Sequence, residues 1–413
     1  MSKLKTLIKF TIYYLINLLL SSSKETKKKS LLLIRLDAIG DYVLFRNFIE
    51  VLKKSEKYKD YKITLLGNSV WKSLSEELDS EYIEEFIWLD RSKFSKDIVY
   101  RYRKLKEISY NGYEVLLSPA YSREFFVGDA IVNLIEAHEK VGSIGDLSNI
   151  KKWQKNISDN YYDVLVPVKE RVMFEFNRNK EFFENLLHTE VDIQKPTIQP
   201  QIKKLNLKLP NYYAVLFIGA SANFRKWDIK NFAKIAEHLK EKYGYEIVLC
   251  GGPTDKGDAM EFKKYFKDEY LDLVGKTSLV ELLTVIYNGN LMIANETSAP
   301  HFAIALEMTN VFVISNGNHY GRFTPYPKEV SECYHVIYHP EIENNLANYR
   351  KLSNLYGFGS QLNISDIGVD RVIKEIDSVI INRAGTENLN NAISENLLPF
   401  KVREDIRMEQ KNE

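Results

Sequence analysis

Short apolar runs alternate along this chain with longer stretches in which apolar residues recur every three or four positions. The runs predict strands at 31–36, 62–68, 85–90 and 113–120, and the periodic stretches predict helices at 42–54 and 97–112. Gly112 fits the C-cap of the second helix. Strands that are apolar throughout and alternate with helices are typical of a parallel sheet covered on both faces. Residues 30–195 are therefore predicted to form one α/β domain.

The pattern lapses between 191 and 210, where three prolines and the lack of a clear period indicate a linker. A second alternating series follows, with strands predicted at 212–219, 245–252, 291–294 and 310–315, and helices at 228–244, 278–289 and 299–307. Residues 205–383 are therefore predicted to form a second α/β domain, with a cleft between the two. The polar residues 384–413 are expected to be a disordered tail.

The first 29 residues differ from the rest of the chain. Lys3, Lys5 and Lys9 precede an uncharged run at 10–20, and a spacer rich in serine and lysine follows. The run is short for a bilayer span, which needs about 20 residues, and no signal-peptide cleavage site follows it. We favour a helix in the membrane interface, where basic residues meet anionic head groups. A helix packed on the protein's own surface remains the alternative.

Overall charge and cysteine content narrow the class of protein. The 413 residues carry 57 Lys and Arg against 56 Asp and Glu, a net charge of +1, so no global field favours nucleic acid as a partner. Cys250 and Cys333 lie far apart and form neither a metal-binding spacing nor a disulfide framework. This cysteine usage suits a reducing compartment.

The stretch "RLDAIGDYVL" places two carboxylates directly after the first strand. In open parallel sheets, ligands bind beyond the carboxyl ends of the strands, so this loop is a candidate site. Gly40 allows a tight turn, and Asp41 opens the following helix. Asp41 is also explained as a simple helix N-cap, and Asp37 as a cap or as an ion-pair partner of Arg35.

Three further loops at strand ends are polar or rich in glycine. "GASANFRKW" at 219–227 offers small residues, Arg225 and Lys226, which suit a phosphate, although an exposed basic loop is common. "CGGPTDKGD" turns sharply before Asp255, but it is neither a GxGxxG motif nor a P-loop, and a plain turn explains it equally well. "NETSAPHFAIAL" at 295–306 opens a helix whose free N–H groups suit an anion, or it is a helix cap with His301 packed inside.

These motifs, in this order and together with "LVGKTSLVELL", resemble glycosyltransferase family nine, the ADP-heptose:lipopolysaccharide heptosyltransferases and their relatives. The resemblance covers about residues 30–330. It implies the GT-B architecture, in which two Rossmann-like domains face each other across a cleft. The C-terminal domain holds the nucleotide sugar and the N-terminal domain holds the acceptor. It further implies transfer with inversion, without a metal or a cofactor.

The resemblance also implies roles for individual residues. Asp41 matches the family's general base, which takes the proton of the acceptor hydroxyl. Lys226 matches the lysine near the diphosphate, Asp255 is expected beside the adenosine, and Glu296 is expected to hold ribose or sugar hydroxyls. The remaining donor-side residues are Gly219, Ser221, Thr297, Ser298 and His301, of which Thr297 and Ser298 offer N–H groups to phosphate. The acceptor-side candidates are Asp37 and Gly40.

The chain departs from the family's pattern at three places. Phe217 and Ile218 replace a His-Pro pair, Glu296 replaces an aspartate, and "NGNHYGRF" replaces a Gly-Pro-Thr loop. Because of these changes, the sequence does not identify the donor sugar. Heptose is the best-known donor sugar of the family.

The implied partners are a nucleotide-sugar donor, ADP-heptose, and a lipid-linked glycan acceptor. The N-terminal segment would hold the enzyme at the cytoplasmic face of the bacterial inner membrane. A catalytically silent scaffold that binds a glycan or a nucleotide is the alternative function. The Rossmann-like pattern alone also suggests a nicotinamide-dependent oxidoreductase, but no GxGxxG motif occurs at either first βα turn.

Overall fold

The computed structural model describes residues 10–13, 15–16, 20, 25–169, 171–199 and 208–393, with side chains to residue 381. These residues form two α/β units, each built on a six-stranded parallel sheet with helices on both faces. The predicted fold class is therefore confirmed.

The first sheet has the strand order β3-β2-β1-β4-β5-β6. Its strands are Thr26–Arg35 (β1), Lys62–Asn68 (β2), Glu85–Leu89 (β3), Gly112–Ser118 (β4), Ala137–Ser143 (β5) and Val164–Val166 (β6). The helices of this unit are Ile39–Val43 (α1), Asn47–Lys54 (α2), Lys72–Leu78 (α3), Arg91–Lys96 (α4), Ile98–Ser109 (α5), Gly128–Leu134 (α6), Lys152–Ser158 (α7) and Glu175–Leu187 (α8). Strand β1 is central and is buried from residue 30 onward, as its apolar run requires.

The second sheet has the order β12-β11-β10-β7-β8-β9. Its strands are Tyr213–Phe217 (β7), Glu246–Cys250 (β8), Leu271–Asp272 (β9), Leu291–Asn295 (β10), Val311–Ser315 (β11) and Tyr334–Tyr338 (β12). The helices are Ile229–Tyr243 (α9), Lys256–Tyr265 (α10), Leu279–Asn288 (α11), Ser298–Ala305 (α12), Pro340–Glu343 (α13), Tyr349–Tyr356 (α14) and Val369–Ile393 (α15).

The two sheets have the same topology. In each sheet the first and fourth strands in chain order are neighbours, and the order runs outward from this pair in both directions. The gap between these two strands is the topological switch point, where open α/β sheets bind their ligands. The turn at 36–41 follows the first strand of one sheet, and the segments 218–227 and 296–298 follow the first and fourth strands of the other.

Several local predictions are corrected by packing. The predicted helix at 42–54 is two helices, because residues 44–46 form a turn between α1 and α2. Gly112 is not a C-cap but the first residue of β4, where a Cβ would lie 2.3 Å from the carbonyl oxygen of Glu25. Helix α15 continues to Ile393, so the predicted tail at 384–413 begins inside a helix, and its residues from 394 onward lie outside the described residues.

Residues 10–13 and 15–16 of the N-terminal segment are helical and pack on the first unit. Tyr13 and Ile16 are buried, and the guanidinium of Arg101 lies 3.6 Å from the Tyr13 ring centroid. This packing fits the alternative of a helix on the protein's own surface, although Leu15 is exposed. Lys3, Lys5 and Lys9 lie outside the described residues, whereas the lysines at 27–29 belong to strand β1. No helix in the described part of the chain is long and apolar enough to cross a membrane.

Candidate functional site

Side chains at and just beyond the ends of the neighbouring strands hold the turn after β1 in place. The carbonyl oxygen of Asp37 accepts hydrogen bonds from Asn68 Nδ2 at 3.1 Å and Trp71 Nε1 at 3.0 Å. The preceding carbonyl, of Leu36, accepts from Asn68 at 3.2 Å and from Arg91 at 3.1 Å. Since these donors satisfy the backbone of the turn, the loop is fixed at the edge of the sheet.

Helix α1 is anchored beneath this turn. The Tyr42 ring stacks on Trp71 with centroids 4.6 Å apart, and its hydroxyl donates to Asp79 Oδ2 at 2.5 Å. Arg46 reaches the other oxygen of the same carboxylate at 2.9 Å. This buried network fixes the orientation of α1 and therefore the position of Asp41 within it.

Asp41 belongs to a cluster of charged groups at the first switch point. Arg35, which is buried, pairs with Asp37 at 2.9 Å and with Glu175 at 3.4 Å. The prediction that Asp37 pairs with Arg35 is thereby confirmed. Burial first, then the charges of Asp37 and Glu175, raises the pKa of Asp41 to about 7, against the opposing effect of Arg35 and Arg322. A carboxyl with this pKa exchanges its proton near neutral pH.

The explanation of Asp41 as an N-cap is wrong. The N-cap of α1 is Ala38, and Asp41 lies within the first turn of the helix. Gly40 is also helical, so it does not form the tight turn that was expected. A Cβ at Gly40 would lie 3.1 Å from Cδ2 of His301 and 3.8 Å from Cα of Ser298. The glycine thus allows α1 of the first unit to approach α12 of the second.

The predicted donor-side lysine and aspartate lie in direct contact. Lys226 Nζ is 2.7 Å from Asp255 Oδ1 and 2.6 Å from Asp258 Oδ2. The other oxygen of Asp255 accepts from the backbone N–H of Gly252 at 2.8 Å. A Cβ at Gly219 would lie only 2.3 Å from that oxygen, so the glycine is required for the approach of the carboxylate. Two carboxylates already offset the charge of Lys226.

Glu296 lies at the second switch point. Its carboxylate is buried and accepts a hydrogen bond from the Ser315 hydroxyl at 2.5 Å, while Arg225 lies 3.8 Å away. Burial raises the pKa of Glu296 to about 7, although Ser315, Arg225 and Asn318 oppose the shift. Arg225 also donates to the Ser221 hydroxyl within its own loop, so the pairing of Arg225 with Glu296 is the contact between the two predicted donor loops.

Helix α12 begins beside this carboxylate. Thr297 is its N-cap, but the threonine side chain makes no capping hydrogen bond, and Ser298 is the first helical residue. Both are half-buried. His301 is buried, its Nδ1 lies 2.8 Å from the Tyr326 hydroxyl, and burial lowers its pKa to about 4, so the ring is neutral at physiological pH. The helix therefore directs its N-terminal N–H groups toward the cleft beside a neutral ring.

Two residues that the sequence analysis missed lie in the loop after β11. Arg322 is 3.5 Å from the carboxylate of Glu175 and 3.1 Å from the Ser122 hydroxyl, so it joins the two units. Burial is the main reason why the pKa of His319 is lowered to about 4. The positive charges of Arg322 and Arg225 act in the same direction. The sequence feature that could have identified both residues is their loop, which follows an apolar strand and lies at the same edge of the sheet as the other candidates.

A cavity of about 610 Å³ opens between the units next to this cluster. Tyr121, Asp146, Lys152 and Glu175 of the first unit line it, together with Arg322 and Phe358 of the second. Its walls are therefore both charged and aromatic, and two of the lining residues, Glu175 and Arg322, also act on the pKa of Asp41.

Comparisons with known proteins agree with this architecture. The chain is 25% identical over 160 residues to lipooligosaccharide heptosyltransferase 2 of Haemophilus ducreyi, which covers 38% of this chain and 44% of that relative. The match therefore spans less than half the length of that curated relative.

Two solved structures have a similar fold. A glycosyltransferase family 9 protein from Veillonella parvula has a TM-score of 0.65 and 18% identity, covering 88% of this chain and 100% of that one. Heptosyltransferase WaaC of E. coli, solved with ADP, has a TM-score of 0.62 and 14% identity, covering 84% and 99%.

The family model described as glycosyltransferase family 9 (heptosyltransferase) matches residues 130–346, which is more than half of the chain and includes the switch point of the second sheet. The chain belongs to glycosyltransferase family 9.

Proposed function

We propose that this chain is an inverting glycosyltransferase that transfers heptose from ADP-heptose to a hydroxyl group of a lipopolysaccharide core or a related surface glycan. One observation carries the proposal: Asp41, whose pKa burial raises to about 7, lies at the first switch point, and the adjacent Gly40 lies against Ser298 and His301 of α12 at the second. A base on one side of the cleft and an anion site on the other are what a single displacement on a nucleotide sugar requires.

In the proposed reaction, Asp41 accepts the proton of the acceptor hydroxyl while that oxygen attacks the anomeric carbon. The bond from this carbon to the diphosphate breaks on the opposite face, and ADP leaves with the bonding electrons. Since attack and departure are in line, the anomeric configuration inverts. Asp37 and Gly40 belong to the acceptor side of the turn, where Asp37 holds Arg35 beside the base.

Protein groups meet the charge of the departing diphosphate in this proposal, without a metal or a cofactor. The backbone N–H groups at Thr297 and Ser298 offer hydrogen bonds to phosphate oxygens. Lys226 adds a positive charge once it exchanges Asp258, the more exposed of its two partners, for a phosphate oxygen. Asp255 then remains against Gly219 beside the adenosine.

We also propose roles for the remaining donor-side residues. Glu296, which lies 3.8 Å from Arg225, is proposed to hold ribose or sugar hydroxyls, with Arg225 and Ser221 forming the adjacent wall. His301 is proposed to shape the site as a neutral ring that contacts α1. The similarity to WaaC, a heptosyltransferase solved with ADP, supports an adenine nucleotide as the donor.

The acceptor is proposed to be lipid-linked and to be used at the cytoplasmic face of the inner membrane. The N-terminal segment, with its basic residues and its uncharged run at 10–20, supports this location.

Calorimetric titration with ADP, UDP and NADH tests the donor site. We expect ADP to bind in preference to both controls, and Lys226→Ala to weaken ADP binding by about tenfold or more, as loss of a charge-assisted contact implies. Preference for UDP would contradict the proposed donor. Binding of NADH alone would favour an oxidoreductase, and ADP binding without any sugar transfer would favour the silent scaffold.

A further inference from the structure

Large apolar side chains exposed to solvent gather on both sides of the cavity between the units. Those of the first unit lie at 147–157 and those of the second at 346–358. The most prominent are Leu147, Trp153 and Ile157 on one side, and Tyr349, Leu355 and Phe358 on the other. Leu147 and Phe358 also line the cavity itself. We call these two segments the cavity rim.

The same two segments are basic. Residues 147–157 contain three lysines and no acidic residue, and residues 346–358 contain one arginine, one lysine and no acidic residue, in a chain whose net charge is only +1. One of the five, Lys155, pairs with Asp159. In the described part of the chain, the other four form no ion pair, and all four are exposed. The rim therefore combines apolar and positively charged side chains.

Helix α14 has one face packed against the protein and large apolar side chains on another face that is exposed to solvent. Leu352 and Ser353 are buried on one face of this helix, whereas Leu355 is 59% exposed on another. Phe358, directly after the helix, is 55% exposed. Single exposed apolar residues are normal on proteins, but a contiguous group around a cavity mouth marks an interaction site.

The rim is also continuous with the N-terminal helix. The ring of Phe10 lies 6.1 Å from that of Trp153 and 6.0 Å from that of Phe125, measured between centroids. The uncharged run at 10–20 thus begins next to the rim of the first unit. Apolar, aromatic and basic side chains that share one face are the composition of protein surfaces that lie on anionic membranes.

We propose that the cavity rim docks on the surface of an anionic lipid bilayer, so that the cavity between the units opens toward the membrane. The apolar side chains enter the head-group region, and the four unpaired cations contact lipid phosphates. This inference deepens the proposed function and rests on it only for the acceptor: a lipid-linked acceptor reaches the cavity without leaving the membrane.

Vesicle sedimentation of the full chain tests the docking. The vesicles are phosphatidylcholine alone, or phosphatidylcholine with about one third phosphatidylglycerol. The rim variant is Leu355→Glu with Phe358→Glu, and the matched control is Tyr110→Glu with Met260→Glu. The control residues, 83% and 68% exposed, lie outside the rim, so each variant adds the same charge to exposed sites. Far-ultraviolet circular dichroism and the midpoint of thermal unfolding confirm that both variants keep the wild-type fold.

We expect the wild type and the control to bind the anionic vesicles and to bind phosphatidylcholine alone more weakly. The rim variant should lose about tenfold in vesicle affinity, because two apolar contacts are replaced by charges that anionic lipid repels. Arg350→Gln with Lys351→Gln should reduce the preference for anionic vesicles. Equal sedimentation of the rim variant and the wild type would overturn the inference, as would a wild type that binds no vesicles.

Failure of the docking and failure of the proposed function give different results. Vesicle binding that depends on the rim, without ADP binding, would leave the docking intact and contradict the transferase. ADP binding and transfer to a detergent-solubilised acceptor, without vesicle binding, would leave the transferase intact and contradict the docking.

Discussion

Replacing Asp41 by asparagine tests whether ionisation of the Asp41 side chain destabilises the folded protein. Burial, then the charges of Asp37 and Glu175, raises its pKa from 3.8 to about 7, although Arg35 and Arg322 oppose the shift. A protonated carboxyl group and an amide have nearly the same shape. The Asp41→Asn variant therefore removes the titration with little change in packing.

The sign of the effect follows from proton linkage. Asp41 holds its proton more tightly in the folded than in the unfolded chain, so its contribution to stability is present below pH 3.8 and is lost as the pH rises through about 7. A shift of about three pKa units corresponds to about 4 kcal/mol, and solvent in the cleft reduces this to about 1–3 kcal/mol. We expect Asp41→Asn to exceed the wild type in unfolding free energy by that amount at about pH 8, and to equal it at about pH 4.

Urea unfolding of both proteins at several pH values measures this difference, and the transfer rate is followed in parallel. We expect the variant to lose transfer at every pH. The wild-type rate should fall about tenfold between about pH 8 and pH 6, as the fraction of ionised base requires.

A variant less stable than the wild type at every pH would refute the reasoning, because it would show that ionised Asp41 is a structural partner of the nearby arginines. Asp37→Asn is the contrasting control. It removes the 2.9 Å partner of the buried Arg35, so it should destabilise the protein.

Three further predictions concern the approach of the two units and the donor site. Gly40→Ala should lower the transfer rate severalfold, because its Cβ would lie 3.1 Å from a histidine ring of α12, whereas Gly257→Ala, with no atom within 4 Å, should leave it unchanged. Gly219→Ala should weaken ADP binding about tenfold in calorimetry, because it displaces a buried carboxylate. Arg322→Gln should move the midpoint of the pH–rate profile upward, since Arg322 lowers the pKa of Asp41, and Arg322→Lys should restore it; equal midpoints would contradict this role.

Periodicity was sufficient for the architecture because parallel strands are buried on both faces and read as apolar runs. The strand at 62–68 has the predicted bounds, and Gly244 is the C-cap that follows helix α9, with a φ of 70° that suits glycine. The errors lie where tertiary contacts override local pattern. The helix predicted at 42–54 breaks at a turn in which Arg46 bonds both Asp79 and the carbonyl oxygen of Thr197 in the linker.

The convergence of the candidate loops was predictable, but, apart from the pair of Arg35 with Asp37, the contacts between their side chains were not. The carboxyl ends of parallel strands meet at one edge of a sheet, so loops far apart in sequence were expected to converge. Sequence does not show that Asp258 shares Lys226, or that Tyr326 contacts His301. The contact of Arg322 with Glu175 joins two units, and no local pattern encodes such a contact.

The most direct test of the central claim is transfer itself. The wild type and Asp41→Asn are incubated with ADP-heptose and a lipid-linked glycan fraction, and ADP release, the mass of the glycan and, by NMR, the anomeric configuration of the added sugar are measured. We predict stoichiometric ADP release, a glycan heavier by one heptose with inverted anomeric configuration, and neither product with the variant. Transfer at the wild-type rate by Asp41→Asn, or ADP binding without transfer to any acceptor, would contradict the account.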